Sequence, residues 1–104
     1  MEKQEVLSAL AALAQETRLD VFRRLVQAGT SGLAAGQLAE ALSISPATLS
    51  FHLKELRNAR LVTSEREGRS IRYAPDFSVI AAVVGYLGEN CCGDVGRART
   101  RRRS

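Results

Sequence analysis

Two adjacent amphipathic stretches, whose helical parts are separated by about three residues, constrain the fold of this chain more than any other feature. The first, LAAGQLAEAL, places Leu38 and Leu42 at helical spacing. The second, SISPATLSFHLKELRNA, opens with Ser45, a preferred N-cap residue, followed by Pro46, which suits the first helical position. These signals predict two helices joined by a tight turn.

The second of these helices has two contrasting faces. Leu49, Leu53 and Leu56 recur at i, i+4 and i+7, so they are expected to face the core. The opposite face starts with small hydroxyl-bearing side chains, among them Thr48 and Ser50. The helix is therefore expected to pack on one side and to present polar groups on the other.

The remaining segments predict three further helices and one hairpin. A first helix runs from Val6 to Ala14, and a second, capped by Thr17, ends at Gly29. The runs LVTSER and RSIRYAP flank the turn EG and predict a β-hairpin, and Asp76 then precedes a final helix, DFSVIAAVVGYLGE. The predicted fold is mainly α with a small β-hairpin wing: a winged helix-turn-helix of about five helices.

The final helix is apolar around nearly its whole circumference, and a chain of 104 residues has too little protein to cover every side of it. At least one stripe is expected to meet a second subunit, so a homodimer is predicted. The alanine-rich first helix is expected to share that interface. The predicted interface residues are Leu7, Leu10, Phe77, Ile80, Val83, Val84 and Leu87.

Positive charge is concentrated in two places. The net charge is +4, but five arginines lie in the last eight residues, and removing these five charges leaves −1 for residues 1–96. Within that nearly neutral body, residues 43–74 carry a net charge of +3. The positive charge therefore belongs to the second amphipathic helix, the hairpin and the tail.

This order of elements suits binding to double-stranded DNA. The major groove admits one α-helix, and a helix that reads it needs small or hydrogen-bonding side chains near its N-terminus. A basic hairpin reaches phosphates or the minor groove and positions the protein without reading sequence. The residues expected to contact DNA are Ser45, Thr48, Ser50, Phe51, His52, Lys54, Arg66, Arg69 and Arg72.

Several of these residues have a second interpretation. His52 is the only histidine, so it is either structural or a phosphate contact, and it has no second histidine with which to share a metal. Phe51 either contacts a thymine methyl group or packs beneath the wing. Exposed basic residues such as Arg66 also occur simply as solvated surface.

Three segments, LAALAQETRLDVFRRLV, LSFHLKELRNARLV and REGRSIRY, resemble the ArsR family of metal- and metalloid-responsive repressors. The resemblance spans roughly residues 5–90, and the sequence from Ser50 to Leu53 is especially typical. It implies a homodimeric winged-helix repressor that leaves its operator when a soft metal or metalloid binds.

The two cysteines, Cys91 and Cys92, are adjacent and follow the final helix. Neighbouring cysteines are poor disulfide partners because the ring they close is strained, so both are expected to be thiols. Their position resembles the C-terminal thiol site of arsenite-responsive ArsR proteins. It implies no permanent cofactor and an effector of trivalent arsenic, as arsenite or methylarsenite, or of antimony.

A third cysteine, which relatives with this thiol arrangement carry a few residues later, is missing here. Either another thiol or water fills the third position, or the effector needs only two sulfurs, as methylarsenite does. A thiol site on the helix-turn-helix is excluded, because LAAGQLAEAL contains no cysteine. A zinc- or nickel-type site across the final helix is not expected, because its stretch DFSVIAAVVGYL offers only Asp76 as a ligand.

Other classes of protein fit less well. The longest apolar run, residues 79–88, is too short to cross a bilayer and neither end resembles a signal peptide, so a cytoplasmic protein without membrane association is expected. No phosphate-type loop precedes Cys91, so an enzyme such as a thiol oxidoreductase is not expected. A redox- or persulfide-sensing repressor of the same fold is the main alternative.

Residues 1–90 are expected to form the DNA-binding and dimerisation domain, and residues 91–104 a flexible, arginine-rich tail that carries the thiols.

Overall fold

The computed structural model describes residues 1–91 of the chain. Within this range it contains five α-helices and one three-stranded antiparallel sheet. In chain order the elements are α1 (Lys3–Leu13), α2 (Glu16–Ala28), β1 (Leu33–Ala34), α3 (Ala35–Leu42), α4 (Pro46–Asn58), β2 (Val62–Glu67), β3 (Ser70–Pro75) and α5 (Phe77–Leu87). The prediction of a mainly α, winged helix-turn-helix fold is confirmed.

The start of α2 differs from the predicted one. The side-chain oxygen of Gln15 accepts the backbone N–H of Arg18 at 2.7 Å, which makes Gln15 the N-cap. The prediction that Thr17 caps this helix is therefore wrong, and Thr17 lies in the first turn instead. The predicted end is confirmed, because Gly29 follows the last helical residue with a φ of 82°.

The sheet has the strand order β1-β3-β2. Strands β2 and β3 form the predicted hairpin and pair over six residues each. The turn between them is Gly68-Arg69, one residue later than predicted, and Gly68 has a φ of 62°. The hairpin therefore places Arg69 at its tip.

The strand β1 has no counterpart in the predictions, which assigned Leu33 to the third helix. Leu33 and Ala34 instead pair with Tyr73 and Arg72 of β3. The preceding Gly32 makes this possible: its φ is 72°, and a Cβ on it would collide with the carbonyl oxygen of Tyr73. The short strand ties the root of the hairpin to the helical body.

The leucine stripe of α4 is fully buried, as predicted. Leu49, Leu53 and Leu56 pack in one core cluster with residues from α1, α2, α3 and β2. Truncating such a leucine to alanine typically costs about 2–5 kcal/mol. The stripe therefore fixes which face of α4 points outward.

Helix α5 contacts α1, and Val79, Ile80, Val83 and Tyr86 of α5 belong to the core cluster or pack against it. Val83 is the only fully buried residue of α5, at 4% exposed. The core of its own chain therefore covers Val83, and its place between subunits stays a prediction. Val84 and Leu87 are 64% and 62% exposed. The predicted interface residues that are exposed in the single chain are Leu7, Leu10, Phe77, Val84 and Leu87, and Ile80 is partly buried.

No helix within residues 1–91 is both long enough and apolar enough to cross a membrane. The predicted tail, residues 91–104, lies outside the described residues except for Cys91.

Candidate nucleic-acid interface

The turn between α3 and α4 is built by two serines. Ser43 ends α3 in the left-handed conformation, with φ 54° and ψ 44°, which redirects the chain. Ser45 then caps α4, since its Oγ accepts the backbone N–H of Thr48 at 3.1 Å. The predicted cap at Ser45 and the predicted position of Pro46 are both confirmed.

The start of α4 presents hydroxyl groups in a defined arrangement. The Ser45 Oγ also donates its proton to the Thr48 Oγ1 at 2.9 Å, which leaves the Thr48 hydroxyl proton for an acceptor outside the protein. Ser50, which lies five residues after the cap residue Ser45, is also exposed. Because the N-terminus of a helix carries partial positive charge, this end of α4 suits an anionic backbone.

Two further predicted residues, Phe51 and Lys54, lie on the outward face. Lys54 is exposed one turn after Ser50, and Phe51 is 55% exposed although it is a large aromatic. The guanidinium carbon of Arg18 lies 6.0 Å from the centroid of the Phe51 ring. Phe51 therefore combines a surface position on α4 with a contact to α2.

From the sequence, His52 is predicted to contact DNA, whereas the structure places it in the interior. It is only 7% exposed, and its ring meets the Phe51 ring edge-on with 5.3 Å between centroids. Its Nδ1 lies 3.4 Å from a guanidinium nitrogen of Arg18. The helical rotation between adjacent residues turns Phe51 outward and His52 inward, so the structural interpretation of His52 is the one that fits.

The environment of His52 favours its neutral form. Burial lowers the pKa of His52 below its ordinary value of 6.5, and the positive charge of Arg18 lowers it further, while Glu55 acts in the opposite direction. A neutral imidazole accepts a hydrogen bond at Nδ1 from the guanidinium. Arg18 was not among the predicted site residues, since 34 residues separate it from His52 and no pattern in the sequence links the two.

The arginines of the β2–β3 hairpin point in two directions. Arg66 and Arg69 are exposed near its tip, as expected of residues that reach DNA phosphates. Arg72 turns back instead: its Nε donates to the Glu67 carboxylate at 3.1 Å, and its Nη1 donates to the carbonyl of Gly32 at 3.1 Å. The guanidinium of Arg72 thus holds the hairpin to the body, and the contact of Arg72 with DNA stays a prediction.

Comparisons with known proteins place this arrangement in a family. A family model described as "Helix-turn-helix domain" matches residues 13–65. An ArsR-like transcriptional regulator from Rhodococcus sp. RHA1 superimposes with a TM-score of 0.72 at 32% identity, covering 81% of this chain and 76% of that one. The chain belongs to the ArsR family of transcriptional regulators. It is thus a helix-turn-helix protein of that family.

Two further similar proteins show how far the similarity extends. The HTH-type transcriptional regulator NmtR of Mycobacterium tuberculosis is 40% identical over 70 residues, which cover 67% of this chain but 56% of NmtR. This chain therefore spans little more than half the length of NmtR. The structure of AntR, described as an antimony-specific transcriptional repressor, superimposes with a TM-score of 0.66 at 31% identity, covering 83% of this chain and 77% of that one.

The candidate effector site of this ArsR-family protein lies apart from α4. Helix α5 ends at Leu87 and is followed by Gly88, whose carbonyl accepts the backbone N–H of Cys91 at 3.0 Å. Cys91 is exposed, and Cys92 lies outside the described residues. Within residues 1–91, no group of three or more histidine, cysteine, aspartate or glutamate residues is arranged to hold a metal ion. The ligand set predicted from Cys91 and Cys92 thus stays a prediction.

Proposed function

We propose that this protein is a metalloid-responsive repressor. It binds operator DNA as a homodimer through α4 and the hairpin, and it leaves the operator when arsenite, methylarsenite or antimonite binds the thiols of Cys91 and Cys92. The observation that carries the proposal is the exposed position of Cys91, four residues beyond the end of the apolar helix α5. The similarity to AntR, which is described as antimony-specific, supports the class of effector.

The homodimer is supported by the apolar surface of two neighbouring helices. Val84 and Leu87 on α5 are both more than half exposed, and Leu7 and Leu10 on α1 are exposed as well. Helices α1 and α5 pack against each other, so these side chains belong to one region of the surface. Large apolar side chains clustered in this way are typical of an interface between subunits. A symmetric pairing would bring two copies of α4 to the same side of a DNA duplex.

The chemistry of the effector site follows from two adjacent thiols. Soft thiolate ligands select soft, thiophilic centres such as trivalent arsenic and antimony. Each As–S bond that forms replaces an As–OH bond, and the thiol proton leaves with the hydroxide as one water molecule. Arsenite needs a third ligand, which water, a small thiol or a cysteine of the second subunit provides. Methylarsenite needs only the two sulfurs, because carbon occupies its third position.

Release from DNA follows from the position of the site beside the dimer helix. Two copies of α4 fit successive major grooves only when their spacing matches half-sites about 34 Å apart. A ligand at the end of α5 that binds one arrangement of the two subunits more tightly than the other shifts their relative orientation. The ligand then weakens DNA binding without touching the groove.

The test is an effector titration of the protein bound to an operator selected from a random-sequence DNA library. Arsenite, methylarsenite, antimonite, cadmium and peroxide are added in parallel, and DNA release is followed by fluorescence anisotropy. Wild-type protein is expected to leave the DNA with the arsenic and antimony compounds. The variant with Cys91→Ser and Cys92→Ser is expected to bind DNA normally and to stay bound.

Release of the double-serine variant by arsenite would refute the proposed effector site. A redox- or persulfide-sensing regulator is the second candidate function, favoured by the exposure of Cys91 to solvent. It predicts that peroxide releases the wild-type protein while arsenite does not, so the same titration separates the two functions.

A further inference from the structure

We propose that Arg18 is a positioning residue for DNA binding: it fixes the DNA-reading helix α4 against α1 by bonding to both, with neutral His52 as its acceptor on α4. The inference rests on DNA binding through α4 and is independent of the effector. It gives roles to a buried histidine and a partly buried arginine that the proposed function does not use.

The guanidinium of Arg18 bridges two helices that are distant in sequence. Its Nε donates to the carbonyl oxygen of Ala12 at 2.8 Å, in the last turn of α1. Carbonyl groups in the last turn of a helix have no partner within that helix, so a cation placed there satisfies one of them and complements the helix dipole. On the other side, its Nη1 lies 3.4 Å from Nδ1 of His52 on α4.

A second contact ties the same guanidinium to the outward face of α4. Arg18 lies over the ring of Phe51, which in turn meets the ring of His52 edge-on. Phe51 is one of the exposed residues at the start of the DNA-reading face. A movement of Arg18 therefore changes both the anchor inside the protein and the orientation of a side chain presented to DNA.

The connection extends toward the proposed dimer interface. Arg18 holds the end of α1, and α1 packs against α5. The chain of contacts thus runs from the dimer helices through Ala12, Arg18 and His52 to α4. Because the two copies of α4 must keep a fixed spacing, an anchor between α1 and α4 affects DNA affinity more than it affects the stability of either helix.

The anchor depends on the protonation state of His52. Arginine stays charged at all physiological pH values, so Nδ1 of His52 accepts its hydrogen bond only when the imidazole is neutral. Protonation places two cations 3.4 Å apart in a site that is only slightly exposed. The charged groups acting on His52 are Arg18 from α2 and Glu55 from its own helix. Helix α1 contributes a backbone carbonyl to Arg18 and no charged group to His52. Acidification is therefore expected to loosen α4.

Two substitutions test the anchor by changing its donor and its acceptor separately. Arg18→Lys keeps the positive charge but loses the planar fork that reaches both acceptors. A pocket of about 280 Å³, lined by Arg18 and by residues of α1 and α4, leaves room for the lysine chain. His52→Asn keeps an acceptor near the position of Nδ1 but does not titrate. Arg24→Lys, on the exposed side of the same helix α2, is the matched control.

Operator affinity is measured by fluorescence anisotropy over a salt series, and the dimer mass by light scattering. Arg18→Lys is expected to weaken binding about tenfold, or ~1.4 kcal/mol, with an unchanged dimer mass and salt dependence. Arg24→Lys is expected to stay within about twofold of wild type, as surface changes usually do. A tenfold loss accompanied by a reduction of the salt slope by about one would mean that Arg18 contacts a phosphate directly, which would overturn the proposal.

The dependence of operator affinity on pH is an independent test. Between about pH 7.5 and about pH 5.5, wild-type protein is expected to lose several-fold more affinity than His52→Asn, since only the imidazole titrates in this range. Equal losses in the two proteins would overturn the proposal, and so would normal affinity of Arg18→Lys. Failure of wild-type protein to bind any selected operator at neutral pH would instead refute DNA binding itself, and the inference would fall with it.

A spectroscopic measurement keeps the inference testable if a variant binds DNA poorly because it is partly unfolded. His52 is the only histidine, so its ring gives a single titrating signal in NMR spectra. Arg18→Met is expected to raise the pKa of His52 toward its ordinary value of 6.5, because the neighbouring positive charge is gone. An unchanged pKa in the folded variant would show that Arg18 and His52 are not coupled and would overturn the anchor.

Discussion

Replacement of Gly32 by alanine is expected to be the most damaging single change among the described glycines. Gly32 has φ 72° and ψ −169°, a region that side-chain-bearing residues rarely enter. A Cβ at this position would collide with the carbonyl oxygen of Tyr73 and lie 3.1 Å from the Cβ of Ala74. Both obstacles belong to β3, which pairs with the strand that begins at Leu33.

The expected loss of unfolding free energy in Gly32→Ala is the sum of a backbone-strain term and a steric term. Gly29 has nearly the same conformation, φ 82° and ψ −162°, but a Cβ there would meet no atom within 4 Å. Gly29→Ala should therefore lower the free energy of unfolding only by the conformational term, about 2 kcal/mol. Gly32→Ala adds an overpacking term of about 2 kcal/mol, because the opposing atoms are backbone in a paired strand. Its total loss is expected near ~4 kcal/mol, a large share of the ~5–15 kcal/mol typical of a domain.

The assay is urea denaturation followed by circular dichroism, with thermal melts as a second measure. Gly32→Ala is expected to melt about 20 °C below wild type, and Gly29→Ala about half as far below it. Gly36→Ala is the stabilising control: Gly36 lies in α3 with open space around it, so alanine should raise the free energy of unfolding by ~0.5 kcal/mol. Equal destabilisation by Gly29→Ala and Gly32→Ala would refute the steric part of the reasoning.

Three further changes test other parts of the structure. Ser45→Ala removes the cap of α4 and should lower the free energy of unfolding by ~1 kcal/mol in urea titrations, whereas exposed Ser50→Ala should stay within ~0.5 kcal/mol; equal effects would contradict the cap. The pKa of His52 is lower in the folded chain than its ordinary 6.5, so the unfolded chain binds more protons below that pH. Stability should therefore be full above about pH 6.5 and fall as the pH drops, and His52→Asn should flatten this slope; a slope identical to that of wild type would contradict the assignment. Val84→Glu, at a position 64% exposed, should convert the proposed dimer to a monomer in light scattering, and an unchanged dimer mass would move the interface elsewhere.

Local signals in the sequence predicted α4 well, because its start and its inward face depend on neighbouring residues alone. The Ser45 cap, Pro46 and the leucine stripe are all found where the pattern placed them. The same holds for the cap of α5, where Asp76 accepts the backbone N–H of Ser78 at 3.1 Å. Short-range chemistry of this kind needs no knowledge of the tertiary fold.

The predictions failed where the deciding partner is distant in the chain. Strand β1 is too short to show an alternating pattern, and it exists because β3 pairs with it. The predicted role of Arg72 came from its charge alone and missed the hydrogen bond that its guanidinium donates to the carbonyl of Gly32, 40 residues away. No sequence pattern marked Arg18 as a site residue. The role of its side chain depends on where α1 ends and on which face of α4 His52 lies.

Helix α5 shows which part of the predicted interface is already covered within the single chain. Two apolar stripes on one helix imply two covered faces, yet the sequence does not say which stripe belongs to which neighbour. The structure assigns Val83 to the core of its own chain and leaves Val84 and Leu87 exposed. Adjacent residues on a helix point about 100° apart, so burying one of them by intramolecular packing turns the other toward solvent. Within residues 1–91, Val84 and Leu87 stay exposed, so they support the proposed dimer better than the buried Val83 does.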